Sequence, residues 1–312
     1  MTQGLRFAVL ITLAGWRLFG QSAETSGFAF YERFQGSASS LGWVNQLDTS
    51  VGYNFGAHFS LDAGLPVYFI RPSSSTIAAT GTSSANGIGN VYAQLRLSEA
   101  GRIVNFASTL TGTAPTGSKT NGFSTGHATV DWSNYIEHSF SQLTPFIDVG
   151  IANAVSDTMF FIRPYTTYGV VTHVEGGARY RLVRGLSVGV SGFAIEPSGA
   201  QTVVSRLVRR SASRTTTGGT STSGSKTTTG GTSTSGSRTS GSGQRDVFQN
   251  TSVTTGAADL ARDNGFSTWL QIAPATGVSL YAGYTRSTHF ALNTAFFGIS
   301  FNLGKAIRSL GI

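Results

Sequence analysis

The chain has 312 residues, of which 40 are glycine, 35 are aromatic and 36 are charged, and it contains no cysteine. Charged residues make up 12% of the chain, against about 25% in an ordinary soluble domain, and glycine is close to double its usual share of about 7%. This composition argues against an ordinary cytosolic enzyme. The absence of cysteine excludes disulfides and thiolate metal sites.

The net charge of +8 is concentrated outside the part of the chain that we expect to fold. Arg6 and Arg17 contribute +2, the segment 201–246 contributes +6, and the remainder is neutral. A basic face for phosphate binding is therefore not expected, and nucleic acid is not a predicted partner.

Residues 1–23 have the layout of a secretory signal peptide. Arg6 precedes an apolar run at 7–16, and small residues follow up to Ala23. Ten apolar residues are too few to span about 30 Å of hydrocarbon as a helix. We therefore predict export, cleavage near Ala23 and a mature domain at 24–312.

In the mature chain, apolar residues recur at every second position. Between 46 and 55, Leu47, Val51 and Phe55 lie on one face and polar residues on the other. A helix would scatter both sets, so the pattern indicates a strand. Counting such runs between turn residues predicts twelve strands, near 27–37, 43–55, 57–70, 88–98, 103–114, 126–139, 144–153, 166–182, 186–196, 265–274, 278–287 and 291–303.

The connections between these strands alternate in length. Apart from the brief 38–42 and 288–290, short turns alternate with long loops at 71–87, 115–125, 154–165 and 197–264. An even strand number with short turns at one end and long loops at the other is typical of an outer-membrane barrel. We predict an all-β, antiparallel transmembrane barrel in the outer membrane, surrounded by its lipids, with 197–264 extracellular.

The composition of the polar faces predicts which side of the wall meets lipid. A soluble sandwich would need an exterior rich in Lys and Glu, whereas these faces carry mostly Ser, Thr, Asn and Gly, and the chain has three Lys. The ions are therefore expected to face the lumen, where they either form a structural ion-pair network or line a solute path. The lumen-lining candidates are Asp48, Asp62, Arg96, His127, Asp131, Glu137, Asp148, His173, Glu175, Arg179 and Arg181.

The longest loop contains a low-complexity insert at 211–243. Residues 215–226 recur as 227–238 with only the last residue changed. Such a segment has no apolar side chains to bury, so we expect it to be disordered. It is either a solvated, expanded repeat or a basic surface for lipopolysaccharide or another polyanion.

Motifs of catalysis lack the structural context that they need. Two G-x-S-x-G matches, at 122–126 and 185–189, precede strands, whereas a nucleophile elbow leads into a helix. The five histidines are dispersed along the chain. We expect no enzyme activity, cofactor or metal.

Three motifs in order carry a family resemblance: Gly87-Ile88-Gly89-Asn90-Val91, then 114–118 (Ala-Pro-Thr-Gly-Ser), then 126–132 (Gly-His-Ala-Thr-Val-Asp-Trp). Together they resemble the outer-membrane family of the phenol-degradation meta-pathway, and the similarity continues through 163–165 and 263–266. Asn90 stands where that family usually has Asp. The resemblance implies a transport-like barrel for hydrophobic or aromatic compounds, with no catalytic residues to carry over.

The leading hypothesis is a monomeric outer-membrane channel for small solutes, with selectivity set by the inward ions and by the loops at 71–87, 115–125 and 154–165. Two alternatives stay open. One is a lipid-modifying barrel with a Ser/His pair at the outer rim. The other is a structural or adhesive barrel whose basic loop contacts surface polyanions.

Overall fold

The computed structural model describes residues 26–80, 83–155, 157–158, 161–207 and 253–303. The predicted signal peptide, the repeat at 211–243 and the C-terminal residues 304–312 lie outside the described residues. In the part that is described, no helix is long and apolar enough to cross a membrane.

The described residues form sixteen strands, one short α-helix, α1 (Ser74–Thr80), and one 3-10 helix at Ala258–Leu260. The strands are β1 (Gly27–Ser39), β2 (Gly42–Phe55), β3 (Phe59–Pro72), β4 (Ala85–Ile88), β5 (Tyr92–Ala100), β6 (Asn105–Thr113), β7 (Thr129–Glu137), β8 (Leu143–Ala152), β9 (Tyr165–Tyr168), β10 (Val171–Val183), β11 (Leu186–Pro197), β12 (Gln201–Ser205), β13 (Val253–Gly256), β14 (Asp263–Ala275), β15 (Val278–Ser287) and β16 (Leu292–Asn302).

Twelve of these strands close into one antiparallel barrel. All but β4, β9, β12 and β13 pair in sequence order, and β1 pairs with both β2 and β16, which closes the ring. Closure leaves the barrel without an unpaired edge, which is the requirement for a sheet inside hydrocarbon. The predicted twelve-stranded antiparallel barrel is confirmed.

The four remaining strands lie in the connections between barrel strands: β12 and β13 within the predicted loop 197–264, β4 at the end of the predicted loop 71–87, and β9 at the start of the predicted strand 166–182. β4 pairs with β3, and β9, β12 and β13 form a separate three-stranded sheet. These connections all leave the same end of the barrel, which we call the long-loop end; the opposite end is the short-turn end. Two predicted strands, 88–98 and 166–182, begin later than expected, at Tyr92 and Val171, because the residues before them form β4 and β9.

Alternation along each barrel strand separates an outer from an inner face. In β2, Asp48 is 6% exposed, whereas Val51 on the opposite face is 54% exposed. Leu61, Val130 and Phe301 are likewise exposed apolar side chains of other strands. The outer wall is therefore apolar and the inner face polar, with the parity that the sequence predicts.

The largest buried apolar cluster lies inside the long-loop end. Val44 and Ile70 contribute from the inner faces of β2 and β3, and Tyr165 and Val203 contribute from the three-stranded sheet. A cluster shared by barrel wall and loops requires the loops to fold into the mouth of the barrel. We call the inserted parts, residues 153–155, 157–158, 161–170 and 198–207, the plug.

A second cluster of rings lies on the inner wall. Trp269 and Tyr281 are buried with a third ring, Phe296, and Phe146 packs against them from β8. A Cβ atom on Gly189 would lie 2.3 Å from the Trp269 ring. Glycine is therefore needed there for the ring to lie flat against the neighbouring strand.

Candidate functional site

The barrel encloses a cavity of about 500 Å³ beneath the plug. Its walls are inner faces of the barrel strands, and plug residues form part of its lining. Five carboxylates and four guanidinium groups line it: Asp48, Asp131, Asp148, Asp157, Glu175, Arg33, Arg163, Arg179 and Arg206.

On one wall, strand register brings an ion pair together. Arg33 and Asp48 lie directly opposite each other on β1 and β2, and Arg33 Nη2 donates to Asp48 Oδ2 at 2.8 Å. The Tyr92 hydroxyl lies 3.1 Å from both carboxylate oxygens. Tyr92 comes from β5 and reaches Asp48 across Gly64, where any side chain would collide with its ring. Both oxygens of the carboxylate therefore have hydrogen-bond donors.

The opposite wall is acidic. Asp131, Asp148 and Glu175 stand on β7, β8 and β10, and Asp148 is directly opposite Glu175 in the ladder. His173 Nε2 lies 3.1 Å from Asp131 Oδ1, and the Ser191 hydroxyl donates to Glu175 at 2.6 Å. Asp148 Oδ1 has no hydrogen-bond partner among the described residues. This wall carries more negative charge than its single histidine can balance.

Toward the short-turn end, a buried carboxylate collects several donors. Arg179 Nη2 lies 3.5 Å from Glu137 Oε2, and the Tyr135 hydroxyl donates to the same oxygen at 3.0 Å. Asn105 Nδ2 donates to Glu137 Oε1 at 3.3 Å. The group is consistent with a structural role, because the Glu137 side chain is 1% exposed and its charge is matched by Arg179.

At the long-loop end, Arg206 holds two parts of the plug together. Its Nη1 donates to Asp157 Oδ1 at 2.9 Å and to the carbonyl oxygen of Arg163 at 2.7 Å. Its guanidinium carbon lies 4.6 Å from the centre of the Tyr68 ring. Burial lowers the pKa of Arg206, but the Asp157 carboxylate raises it further, so that the pKa lies above its ordinary value. Arg206 is therefore a permanent buried cation.

A chain of hydrogen bonds connects this cation to the barrel wall. The Tyr281 hydroxyl donates to Gln35 at 3.0 Å, and Gln35 Nε2 donates to Gln46 at 2.6 Å. Gln46 Nε2 donates to the Tyr68 hydroxyl at 3.0 Å. The Tyr68 hydroxyl in turn donates to Asp157 Oδ2 at 3.0 Å. The plug is thus fixed to the inner wall by polar contacts as well as by apolar packing.

Across the described ranges, no three His, Asp or Glu side chains converge as ligands of one ion.

The predicted candidates fall into three sets. Those that line the cavity are Asp48, Asp131, Asp148, His173, Glu175 and Arg179. Those on the inner face but outside the cavity lining are Asp62, Arg96 and Glu137. Those that are exposed and lie outside the cavity lining are His127 and Arg181.

The structure places His127 and Arg181 outside the lining of this cavity. Strand β7 begins at Thr129, after Gly126 adopts a positive φ of 79°, so His127 is an exposed loop residue that stacks on the Tyr168 ring at 4.2 Å. Arg181 is exposed at the short-turn end of β10, where its Nη2 donates to the carbonyl oxygen of Ser141. His127 precedes the first residue of β7, and Arg181 has the inward parity of β10 but lies at the solvent-exposed end of the strand.

Sequence reasoning missed four charged residues of the cavity. Arg33 lies on the inner face of β1, where polar and apolar residues alternate. It could have been identified by assigning inner and outer faces to that strand as well. Asp157, Arg163 and Arg206 belong to loops, where no periodicity assigns a side chain to a face.

The chain was compared with known proteins and structures. No protein-family model and no curated protein matches it, so the resemblance to the phenol meta-pathway family stays a prediction. Among solved structures, the COG4313 outer membrane channel from Pseudomonas putida F1 is similar with 11% identity, a TM-score of 0.56, and coverage of 91% of this chain and 98% of the other.

Two porins are also similar to the chain. The NanC porin matches with 8% identity and a TM-score of 0.46, and the KdgM porin, solved in complex with disordered oligogalacturonate, with 8% identity and a TM-score of 0.43. Each match covers 87% of this chain and 98% of the porin. At such low identity only the fold is comparable, and the likeness to the Pseudomonas channel establishes that this chain has the fold of an outer-membrane β-barrel.

Proposed function

We propose that the chain is an outer-membrane channel that passes small solutes, hydrophobic or aromatic compounds among them, through the barrel lumen. The observation that carries the proposal is the cavity of about 500 Å³ inside a closed barrel, lined by ions of both signs. Its volume is in the range of small-molecule sites. Aromatic side chains such as Phe146 and Phe193 line it beside the ions, which suits solutes with a ring and a polar group.

The location in the outer membrane is part of the same proposal. It is supported by the apolar outer wall, by the predicted signal peptide and by the predicted orientation, with the short turns on the periplasmic side. We expect a monomer, because each barrel closes on itself and encloses its own cavity.

Single-channel recording in planar bilayers tests the channel function. We expect stepwise conductance from the purified protein and flux of small solutes into liposomes. A barrel that is folded but gives neither conductance nor flux would refute the proposal.

A pair of tryptophan variants separates passage through the lumen from leakage around the barrel. Thr111 lines the cavity, whereas Leu110 beside it is 46% exposed on the outer face. Thr111→Trp is expected to reduce conductance because its ring fills part of the lumen. Leu110→Trp adds a ring on the lipid side and is expected to leave conductance unchanged.

The lipid-modifying alternative requires a histidine beside a serine at the outer rim. At the long-loop end, His127 stacks on Tyr168 and His289 packs edge-on against Phe290. These ring contacts do not favour a role in proton transfer. Lack of turnover on phospholipid or lipid A would exclude this alternative.

A further inference from the structure

Arg206 is a cavity-lining cation that combines deep burial, a buried Nε–H without an acceptor and an aromatic ring beside its guanidinium group. It follows β12 in the plug, lines the cavity and is 5% exposed. Its Nη1 contacts Asp157 and the Arg163 carbonyl, and its Nη2 is 3.4 Å from the Tyr68 hydroxyl. Its Nε has no hydrogen-bond partner among the described residues. A buried donor without an acceptor is costly, and it indicates a ligand-binding position.

The contact with Asp157 does not use the geometry that a guanidinium favours. Both Asp157 oxygens are 2.9 Å from the same nitrogen, Nη1. A free carboxylate binds arginine best through two parallel N–H···O bonds to two nitrogens. A carboxylate that is not tied to the plug backbone could therefore displace Asp157 and bind two guanidinium nitrogens at once, Nε among them, a geometry that Asp157 does not use.

An aromatic surface adjoins the guanidinium. Arg206 lies over the Tyr68 ring, and Tyr68 stacks on Phe123 with ring centres 5.7 Å apart and planes at 7°. Tyr68 and Phe123 both line the cavity. A flat ring could stack on this surface while an attached carboxylate reaches Arg206.

We propose that Arg206 and the Tyr68–Phe123 surface form a binding site for a small aromatic carboxylate, and that Asp157 is the internal carboxylate that occupies Arg206 in its absence. The charge of the site persists through the physiological range, because the pKa of Arg206 lies above its ordinary value. The inference rests on the proposed function, since a channel for ring compounds would use such a site to select among them. Binding of the acid releases Asp157 from Arg206 and so loosens the plug.

Equilibrium dialysis of radiolabelled benzoate against the detergent-purified, full-length protein tests the site without relying on conductance. Asp157→Ala removes both the charge and the volume of the internal competitor. We expect this variant to bind benzoate at least tenfold more tightly than the unmodified protein. Arg206→Gln in the same background is expected to abolish binding. Benzyl alcohol, which has the ring without the charge, is expected to compete at least tenfold less well than unlabelled benzoate.

Asp48→Asn is the matched control, because it removes a carboxylate from another arginine pair of the same cavity. It is expected to leave benzoate affinity within twofold. If Asp157→Ala and Asp48→Asn increase affinity equally, the effect is one of net charge and the site is overturned. Equal affinity in the unmodified protein, Asp157→Ala and Arg206→Gln overturns it as well. Should Arg206→Gln fail to fold, Arg206→Lys keeps the charge without the planar donors and is expected to weaken binding at least fivefold.

The two proposals fail in different ways. Benzoate binding as expected without conductance or flux would remove the channel and leave the site. Conductance without benzoate binding to any variant would remove the site and leave the channel.

Discussion

The direction in which each strand face points can be tested by placing the same charge on two adjacent residues. Leu95 is 44% exposed on the outer face of β5, and Gln94 lines the cavity. Gln94 also lies opposite Asp62 in the ladder. An arginine at 95 would therefore enter lipid, whereas an arginine at 94 would enter the lumen beside a carboxylate.

The expected cost follows from the depth of Leu95 in the apolar belt. It lies three residues from the long-loop end of β5. At a rise of about 3.4 Å per residue and a tilt of about 40°, it is roughly 8 Å inside the belt. A lipid-facing arginine costs about 2–4 kcal/mol at the midplane and about 0–1 kcal/mol at the interface. We expect Leu95→Arg to cost about 2 kcal/mol, or roughly thirtyfold in the folding equilibrium.

Urea unfolding in liposomes, followed by tryptophan fluorescence, measures both variants. Gln94→Arg is expected to change the free energy of unfolding by less than about 1 kcal/mol, because the new charge would lie in the half-buried lumen opposite the Asp62 carboxylate. A larger loss for Gln94→Arg than for Leu95→Arg would refute the assignment of faces, and with it the lumen site.

Three further variants probe the interior. Asp48→Asn leaves Arg33 without its counter-ion. Because Arg33 is about one-third exposed, we expect the free energy of unfolding to fall by about 1–2 kcal/mol in the urea assay. An unchanged free energy of unfolding would mean that this ion pair does not stabilise the barrel. Ser37→Ala removes the acceptor of the Ile162 amide, 2.9 Å away, and is expected to weaken plug docking by about 1 kcal/mol, visible as faster hydrogen exchange at 161–165; unchanged exchange would argue against docking through this bond. Replacing Asp131, Asp148 and Glu175 by their amides is expected to lower cation selectivity, read from the reversal potential in a salt gradient, and an unchanged potential would show that the acidic wall does not face the permeation path.

The sequence predicts the barrel well because a transmembrane strand has a strict period of two with a lipid-facing apolar side. Leu61 and Val130 each stand in runs where apolar and polar residues alternate, and the structure places both on the outer wall. Connection lengths then predict the order of strands and the long-loop end. These signals are local, so a single sequence is sufficient to read them.

The plug has no comparable signal. Val203 and Ile162 are buried in it, but their burial depends on contacts with Ser37 and with the inner faces of distant strands. The partnership of Asp157 with Arg206 joins two separate loops, 49 positions apart. Such pairs follow from tertiary packing, which explains why the inner-face candidates were identified and the plug charges were missed.

The glycines that lie against the aromatic rings of the inner wall affect the width of the lumen. Trp269 and Tyr281 lie against Gly189 and Gly298, where even one added carbon would displace the ring. Because each glycine has no side chain, the ring beside it can lie directly against the barrel backbone and takes up less of the lumen. If the barrel passes solutes as proposed, replacing one of these glycines would push the ring toward the barrel axis and lower the size limit, while the outer wall and the strand pairing stay as they are.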